Sequence, residues 1–170
     1  MSATSSTDAR KSSFPPVAAP DCRLLVLGSL PGEASLAARR YYAHPRNLFW
    51  HLMGPVAGAD LVSLGYEERL AALLQARIGL WDTVASALRP GSLDAAIREE
   101  QHNPLAKLVG ELPQLRAVAF NGAKAARIGT RLLEGADVAL VALPSSSPAH
   151  ASMKLAEKEA LWRALAKFLR

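Results

Sequence analysis

Four short, largely apolar segments divide this chain, and each meets glycine, proline or small polar residues at its carboxyl end. They span residues 24–27, 79–84, 116–120 and 138–143. Short apolar runs bounded by turn residues are typical of strands buried on both faces of a parallel sheet. Segments with helical spacing of leucines lie between them. The pattern therefore predicts a single-domain α/β protein with three layers, α/β/α, around a central four-stranded parallel sheet.

The residues that end these strands predict where the functional site lies. The carboxyl ends of parallel strands meet at one edge of a sheet, and open α/β sheets bind their ligands at that edge. We therefore expect one cleft lined by the four strand endings, which are Gly28-Ser29, Asp82-Thr83, Asn121-Gly122 and Pro144-Ser145.

Three helix boundaries in the sequence bear on this site. A helix is predicted to begin near Pro45 or Arg46 and to end by Gly54, which would put Asn47 in its first turn, where backbone N–H groups favour anions. Residues 93–100, LDAAIREE, are predicted to form a helix with Ser92 as its N-cap. The last helix is predicted for residues 153–169.

Composition limits the classes of partner without naming one. The formal net charge is +5 and the isoelectric point is about 9.7, a balance that permits a polyanionic partner such as DNA. The basic residues are dispersed over predicted helix faces, so a solvated surface explains them equally well. No segment has the length and apolarity of a membrane span, and we expect no membrane association.

The amino-terminal segment and the single cysteine complete the domain prediction. Residues 1–20 are rich in Ser, Thr, Ala and Pro without periodicity, which predicts a disordered tail before a domain of residues 21–170. Cys22 is the only cysteine, so neither an internal disulfide nor a cysteine-based metal cluster is possible. A reducing, cytoplasmic location fits this cysteine content.

Residues 23–53 hold the densest group of polar and aromatic residues in the chain. The turn GSLPG at residues 28–32 follows the first strand, and YYAHPRNLFW follows at residues 41–50. This segment resembles the uracil-DNA glycosylase superfamily, whose mismatch-type members carry G-x-N-P-G and then H-P-x-N-x-F-W. The residues that fit are Gly28, Pro31, Gly32, His44, Pro45, Asn47, Phe49 and Trp50.

Two positions depart from the common pattern of that superfamily. Leu30 stands where most members have the Asn or Asp that positions the attacking water. The combination of GSLPG with Tyr-Tyr before HPRN is similar to the hypoxanthine-DNA glycosylase group, in which the later Asn, here Asn47, supplies the catalytic amide. The loop PSSSPAH at residues 144–150 resembles the second motif, commonly H-P-S-P-L-S, but Leu143 stands where the family has a His that stabilises the departing base.

The resemblance implies a function in base excision repair. It implies a monofunctional DNA glycosylase that uses water to release a deaminated base, most simply hypoxanthine from deoxyinosine, and that needs no cofactor and no metal. The implied partner is double-stranded DNA that contains the deaminated base. The implied protein is a monomer that is cytoplasmic and associated with the nucleoid.

Roles for individual residues follow from the same resemblance. The candidate catalytic residue is Asn47, whose amide would orient the water; it could instead cap the loop. The candidate base-binding residues are Gly28, Ser29, Tyr42, Phe49, Asp82 and Asn121, although core packing for Phe49, and helix or turn capping for Asp82 and Asn121, are the structural alternatives. The candidate DNA contacts are His44, Arg46, Lys124, Ser145, Ser146, Ser147, Pro148, Ala149 and His150.

Other classes of protein lack their sequence signals here. There is no GxxxxGK[ST], no GxGxxG and no GxSxG, and the four histidines lack metal-ligand spacing. Three alternatives remain open on the same fold. They are a uracil or mismatch-specific glycosylase, a non-catalytic module that binds DNA damage, and a lyase-coupled glycosylase that would use Lys124 as its amine nucleophile.

Overall fold

The computed structural model describes residues 10–150 and 152–170, in which short strands alternate with helices. The strands are β1 (Lys11–Ser12), β2 (Leu24–Gly28), β3 (Ile78–Asp82), β4 (Val84–Leu88), β5 (Arg98–His102), β6 (Ala117–Asn121) and β7 (Ala139–Leu143). The helices are α1 (Glu33–Ala38), α2 (Phe49–Ala57), α3 (Tyr66–Gln75), α4 (Leu105–Gly110), α5 (Ala123–Leu132) and α6 (Leu155–Arg163).

The central sheet confirms the predicted α/β architecture. Its four strands lie in the order β3-β2-β6-β7 and every neighbouring pair is parallel. The register sets Gly28 opposite Asp82, and Asn121 opposite Leu143, so the carboxyl ends of all the strands are level. The four polar strand endings therefore meet at one edge of the sheet, as the sequence predicts.

The two faces of the sheet carry two separate cores, which makes the fold three-layered. Side chains alternate along a strand, so Leu24 and Val26 point to one face and Leu25 and Leu27 to the other. The first face is covered by buried residues of α2, α3 and α6. The second face is covered by buried residues of α4 and α5.

A second, antiparallel sheet in the order β1-β4-β5 lies beside the central sheet, and it was not predicted. The predicted helix at residues 93–100 is wrong, because only a 3₁₀ turn forms at Asp94–Ala96 before the chain extends into β5. The segment Arg98–Glu100 is charged throughout and offers no apolar stripe for a helix to bury, whereas an edge strand leaves such side chains in water. The hydroxyl of Ser92 accepts a hydrogen bond from the Glu33 N–H, so it caps α1 instead.

The predicted disordered tail is wrong for residues 10–20, which pack against the domain. β1 pairs with β4, and Val17 exchanges backbone hydrogen bonds with Leu80 at the edge of the central sheet. The ring of Phe14 meets Tyr41 edge to face, with the ring centroids 5.1 Å apart. A Pro-rich segment that has no apolar periodicity of its own can still bury its few apolar side chains against the surface of the folded domain. Residues 1–9 lie outside the described residues.

Two helix boundaries differ from the prediction. α2 begins at Phe49 and continues through Pro55 to Ala57, so Asn47 lies before the helix and outside its first turn. The predicted last helix divides into α6 and a 3₁₀ helix at Ala164–Leu169. Within the described ranges, no helix has both the length and the apolarity needed to cross a membrane.

Candidate active site

A cavity of about 690 Å³ opens at the carboxyl edge of the central sheet. This volume lies in the usual range for small-molecule sites. It brings together most of the predicted site residues, namely Gly28, Ser29, Tyr42, His44, Asn47, Asp82, Asn121, Lys124, Ser145, Ser146, Ser147, Pro148, Ala149 and His150. The exceptions are Arg46, which is exposed outside the cavity, and Phe49, which is buried behind it.

The floor of the cavity is the point where β2 and β3 end. Gly28 separates two polar groups there, because a Cβ added to Gly28 would lie 2.8 Å from Asp82 Oδ1 and 3.0 Å from the Tyr42 hydroxyl. A side chain at this position would occupy the space on which both polar groups converge. The glycine therefore leaves the sheet edge open for the polar edge of a ligand.

Asp82 is a buried carboxyl group whose charge is poorly compensated. Its exposed fraction is 3%, and Oδ2 is buried with no hydrogen-bond partner among the described residues. Burial first, and the nearby Asp94 carboxyl second, raise the pKa of Asp82 well above its usual range, against a smaller opposing effect of Arg89. The neutral form of this side chain therefore persists to a higher pH than is usual for an aspartic acid. As a carboxylic acid it can both donate and accept a hydrogen bond.

Tyr42 supplies a second buried polar group without a partner. Its hydroxyl is buried and no hydrogen bond satisfies it within the described part of the chain. Burial, with a further contribution from Asp82, raises the pKa of Tyr42 above its usual range, so the phenol stays neutral. The Asn121 side chain lies close enough to oppose this rise slightly, but it forms no hydrogen bond of good geometry with the hydroxyl. Its backbone is in the left-handed region, at φ 53°, and the Trp50 indole N–H donates to its carbonyl at 3.2 Å. Backbone strain of this kind is typical of functional sites.

Phe49 supports Tyr42 from the core. The two rings are stacked with their centroids 3.8 Å apart and an angle of 14° between their planes. Phe49 itself is fully buried, and it also meets Trp162 edge to face. The prediction that Phe49 contacts the base is wrong, because an apolar ring at the start of α2 is buried in the first core. Its contact with Tyr42 fixes the orientation of the phenol instead.

Asn47 lines the cavity two residues before α2. Its Oδ1 accepts a hydrogen bond from the Phe49 N–H at 2.9 Å, and its own N–H donates to the His44 carbonyl. The Asn47 side chain therefore caps the turn that leads into α2, which is the structural role that the sequence analysis left open for it. Oδ1 retains a second lone pair and Nδ2 remains a donor, so capping leaves the amide able to bind water in the cavity.

Asn121 joins the third strand to the loop that follows the fourth. Its Nδ2 donates to the Ser146 hydroxyl at 2.8 Å, and its Oδ1 accepts from the Ser146 N–H at 2.9 Å. The side chain therefore does not cap α5, and both of its polar atoms hold the loop. The Ser146 carbonyl accepts in turn from the Leu48 N–H at 3.0 Å, which ties this loop to the Asn47 segment.

We call residues 144–150 the serine loop, and its hydroxyls are largely committed to its own shape. Ser145 Oγ accepts from the Ser147 N–H, and Ser147 Oγ accepts from the Ala149 N–H. Pro148 and Ala149 are exposed at the rim of the cavity. The Nδ1 atom of His150 is buried and lacks a partner among the described atoms.

Two buried basic residues that the sequence analysis missed hold the site in place. Arg89 has no exposed surface, and its guanidinium donates to the carbonyls of Leu30, Pro31 and Gly91. It therefore fixes the GSLPG turn from the end of β4. Lys158 of α6 has an exposed fraction of 2% and contacts the serine loop. Spacing could have revealed Lys158, because it shares a helical stripe with Trp162 and Leu165.

Both departures from the family motifs are apolar in three dimensions as well. Leu30 is buried and packs with Val84, Ala87, Ile97 and Ile128. Leu143 is buried in the first core and does not line the cavity. Neither residue can bind a water molecule or donate to a leaving base. The two functions that the resemblance implies for these positions would therefore fall to other residues.

Both acidic and basic groups line the cavity, with Glu33 and Asp94 among the acidic ones. Lys124 lies at the start of α5 and is 3.3 Å from Glu100 Oε1, while Arg127 lines the cavity one turn later. His44 Nδ1 accepts a hydrogen bond from the Arg46 N–H at 3.1 Å, which shapes the HPRN turn. In the described part of the chain, no group of three or more His, Cys, Asp or Glu side chains could hold a metal ion.

Known proteins share this fold and allow the chain to be assigned to a family. The family model described as the uracil DNA glycosylase superfamily matches residues 15–168, and the chain belongs to this superfamily. A hypoxanthine DNA glycosylase of Methanosarcina acetivorans is 38% identical over 155 residues, which are 91% of this chain and 97% of that protein. One of Methanosarcina barkeri is 44% identical over 115 residues, 68% of this chain and 73% of that protein.

A solved structure shows the same architecture. It is a solution NMR structure of a Methanosarcina acetivorans protein provisionally assigned as a uracil DNA glycosylase. Its TM-score is 0.84 at 37% identity, with 95% of this chain and 99% of that chain covered.

Proposed function

We propose that this protein is a monofunctional DNA glycosylase that releases hypoxanthine from deoxyinosine in double-stranded DNA. In the reaction, water adds to C1′ as the bond from C1′ to N9 breaks, and the bonding electrons leave with the base. The products are a free purine and an abasic site. The observation that carries the proposal is the convergence of two buried polar side chains, Asp82 and Tyr42, beside Gly28 at the floor of the cavity, where Asp82 Oδ2 and the Tyr42 hydroxyl lack hydrogen-bond partners among the described residues.

Recognition of the base rests on the neutral Asp82 carboxyl. Hypoxanthine presents an N1–H donor beside its C6 carbonyl, and a carboxylic acid pairs with such an edge by accepting from N1–H and donating to O6. The Tyr42 hydroxyl, which also lies beside Gly28, would donate to the same carbonyl. A flipped base is read by hydrogen bonds of this kind to its edge.

The same two donors favour departure of the base. Negative charge develops on the purine as the glycosidic bond breaks, and donors aimed at that charge in a buried site lower the barrier. Asp82 and Tyr42 would thus supply the assistance that the family's second-motif His gives, since Leu143 cannot. The pKa of Asp82, raised by burial, keeps the donating proton on the carboxyl.

Asn47 would position the attacking water. It is the amide side chain that lines the cavity in the HPRN segment, and Leu30 removes the alternative of the first motif. An amide is a weak base, but an oxocarbenium-like transition state needs orientation of the water more than deprotonation. The hydrogen bond from Phe49 N–H holds the amide in one rotamer, so capping and catalysis support each other.

The DNA would approach the rim formed by the serine loop and the start of α5. Pro148 and Ala149 are exposed where they can enter the duplex, and Lys124 and Arg127 face the same opening. Basic side chains of this kind neutralise phosphates without reading sequence. We propose that the protein acts as a monomer and works where chromosomal DNA lies.

The test is base release from matched duplexes that each contain one deoxyinosine, deoxyuridine or deoxyxanthosine. Wild type and Asn47→Ala are compared, and an undamaged duplex is the control. We expect free hypoxanthine from wild type and little from the variant. Release of uracil in preference to hypoxanthine would refute the substrate. Tight binding to a lesion with no base released would favour a damage-binding module, and borohydride trapping of a covalent complex would indicate a lyase.

A further inference from the structure

The Lys158 side chain of α6 forms hydrogen bonds to both ends of the serine loop. Its Nζ atom donates to the carbonyl of Ser145 at 2.7 Å and to the carbonyl of His150 at 3.0 Å. These acceptors lie near the beginning and at the end of the loop. One side chain on α6 therefore brings both ends of the loop to a single point.

The two halves of the serine loop are not held equally well. The first half is fixed by several groups, since the Trp162 indole N–H donates to the Pro144 carbonyl at 3.0 Å and Asn121 binds Ser146 twice. The second half has its own short-range bonds, from Ala149 N–H to Ser147 Oγ and from His150 N–H to the Ser147 carbonyl. Among the described hydrogen bonds, Lys158 alone connects that half to a helix.

Burying Lys158 carries a free-energy cost that its position explains. Its exposed fraction is 2%, and no described carboxylate lies within salt-bridge distance of its ammonium. Burial lowers the pKa of Lys158, as expected when a charge is removed from water without an opposite charge. Two carbonyl acceptors offset only part of this desolvation cost. An apolar residue at the same position of the helical stripe would not carry it.

We propose that Lys158 is a positioning residue that closes the serine loop into the shape needed to keep a nucleotide out of a duplex. The inference rests on the proposed function. Pro148 and Ala149 lie between the two ends that Lys158 joins, so their height above the cavity depends on its hydrogen bonds. A stacked and paired base leaves a duplex only if rigid residues enter the duplex in its place, whereas a base in a single strand needs no unpairing. The effect of Lys158 should therefore be specific to duplex DNA.

The experiment compares Lys158→Met with Lys154→Met on single-stranded and duplex substrates that carry one deoxyinosine. Lys154 lies one helical turn earlier and is exposed, so its substitution removes the same charge without touching the serine loop. We expect Lys158→Met to lose about tenfold or more in kcat/KM on the duplex, the value of one to two charged hydrogen bonds, and to keep its single-stranded rate. Lys154→Met should behave like wild type on both substrates.

Three outcomes would overturn the inference. Equal losses on both substrates would mean that Lys158 supports the whole site, and no loss on either would mean that the loop keeps its shape without it. Matching losses in both variants would assign the effect to net charge. If wild type releases no base from either substrate, the proposed function itself fails and the inference fails with it. Should the Met variant not fold, Lys158→Gln, which removes the charge and shortens the side chain so that it cannot reach both carbonyls, replaces it and is expected to show the same selective loss.

Discussion

Asn47 offers the sharpest test of the proposed mechanism, because its two roles have different magnitudes. One role is the hydrogen bond that its Oδ1 accepts from the Phe49 N–H at 2.9 Å. A side-chain cap of this kind contributes about 1 kcal/mol to stability. The other role is orientation of the attacking water, whose loss costs a factor of about 10² to 10³, or about 3–4 kcal/mol in activation free energy.

Two substitutions at Asn47 separate these roles. Asn47→Ala removes the cap and the amide, and should lower the free energy of unfolding by about 1 kcal/mol and the melting temperature by about 2–4 °C. Asn47→Asp keeps an acceptor for the Phe49 N–H and should unfold like wild type. If the water binds to Oδ1, the Asp variant keeps most of its activity; if it binds to Nδ2, both variants lose about 10²-fold or more.

The assay is single-turnover release of hypoxanthine, with thermal unfolding of each variant measured in the same buffer. Single turnover isolates the chemical step from product release, so the rate reports on the water and on the leaving base. A loss in Asn47→Ala no larger than the cap can explain, less than about tenfold, would refute catalysis by this residue. The residue would then be structural, and the source of the nucleophilic water would have to be sought elsewhere in the cavity.

Further predictions concern the groups that hold and tune the site. Arg89→Met leaves three backbone carbonyls without their donor and should lower the free energy of unfolding by about 3 kcal/mol or more, measured by urea denaturation. An unchanged urea midpoint would contradict the conclusion that Arg89 fixes the GSLPG turn. Asp82→Asn should have the same free energy of unfolding as wild type at pH values below the ordinary pKa of an aspartate. As the pH rises from there toward the raised pKa of Asp82, the variant should become increasingly more stable than wild type, because only wild type must then either keep its proton or bury a charge. Hypoxanthine release by wild type should fall as the pH passes through that raised pKa, whereas the amide variant, which keeps a donor, should show no such fall; parallel pH profiles would contradict a protonated Asp82. Phe14→Ala should cost roughly 2 kcal/mol, about half the value for a fully buried ring, whereas a disordered tail would give no change in melting temperature.

Although the edge strand β7 is largely exposed, the parallel sheet was predictable because three of its strands, β2, β3 and β6, are buried on both faces. Such strands must be apolar along their whole length, so residues 24–27 and 116–120 are visible in the sequence without knowledge of their neighbours. The convergence of the strand endings then follows from topology, since all four strands run the same way. This is why Gly28, Asp82 and Asn121 could be placed in one cleft in advance.

The antiparallel sheet was not predictable by the same reasoning. β5 is an exposed edge strand of charged residues, and β1 contains only Lys11 and Ser12. Neither segment has an apolar pattern, because each is stabilised by pairing with β4 and not by burial of its own side chains. Local sequence therefore favoured a helix over residues 93–100, which include the start of β5, and disorder for the residues around β1.

The sequence alone determined the family of the fold, the apolar framework of the sheet and the cleft to which its polar residues belong. These features depend on local composition and on strand direction, and both can be inferred from the order of the residues in the sequence. Only the tertiary structure decided what each polar side chain does. It left Asp82 and Tyr42 unpartnered at the floor, committed Asn121 to Ser146, and buried Phe49 behind Tyr42. Hydrogen-bond partners and burial are set by residues far apart in sequence, and so the chemistry of the site emerges only when the chain is folded.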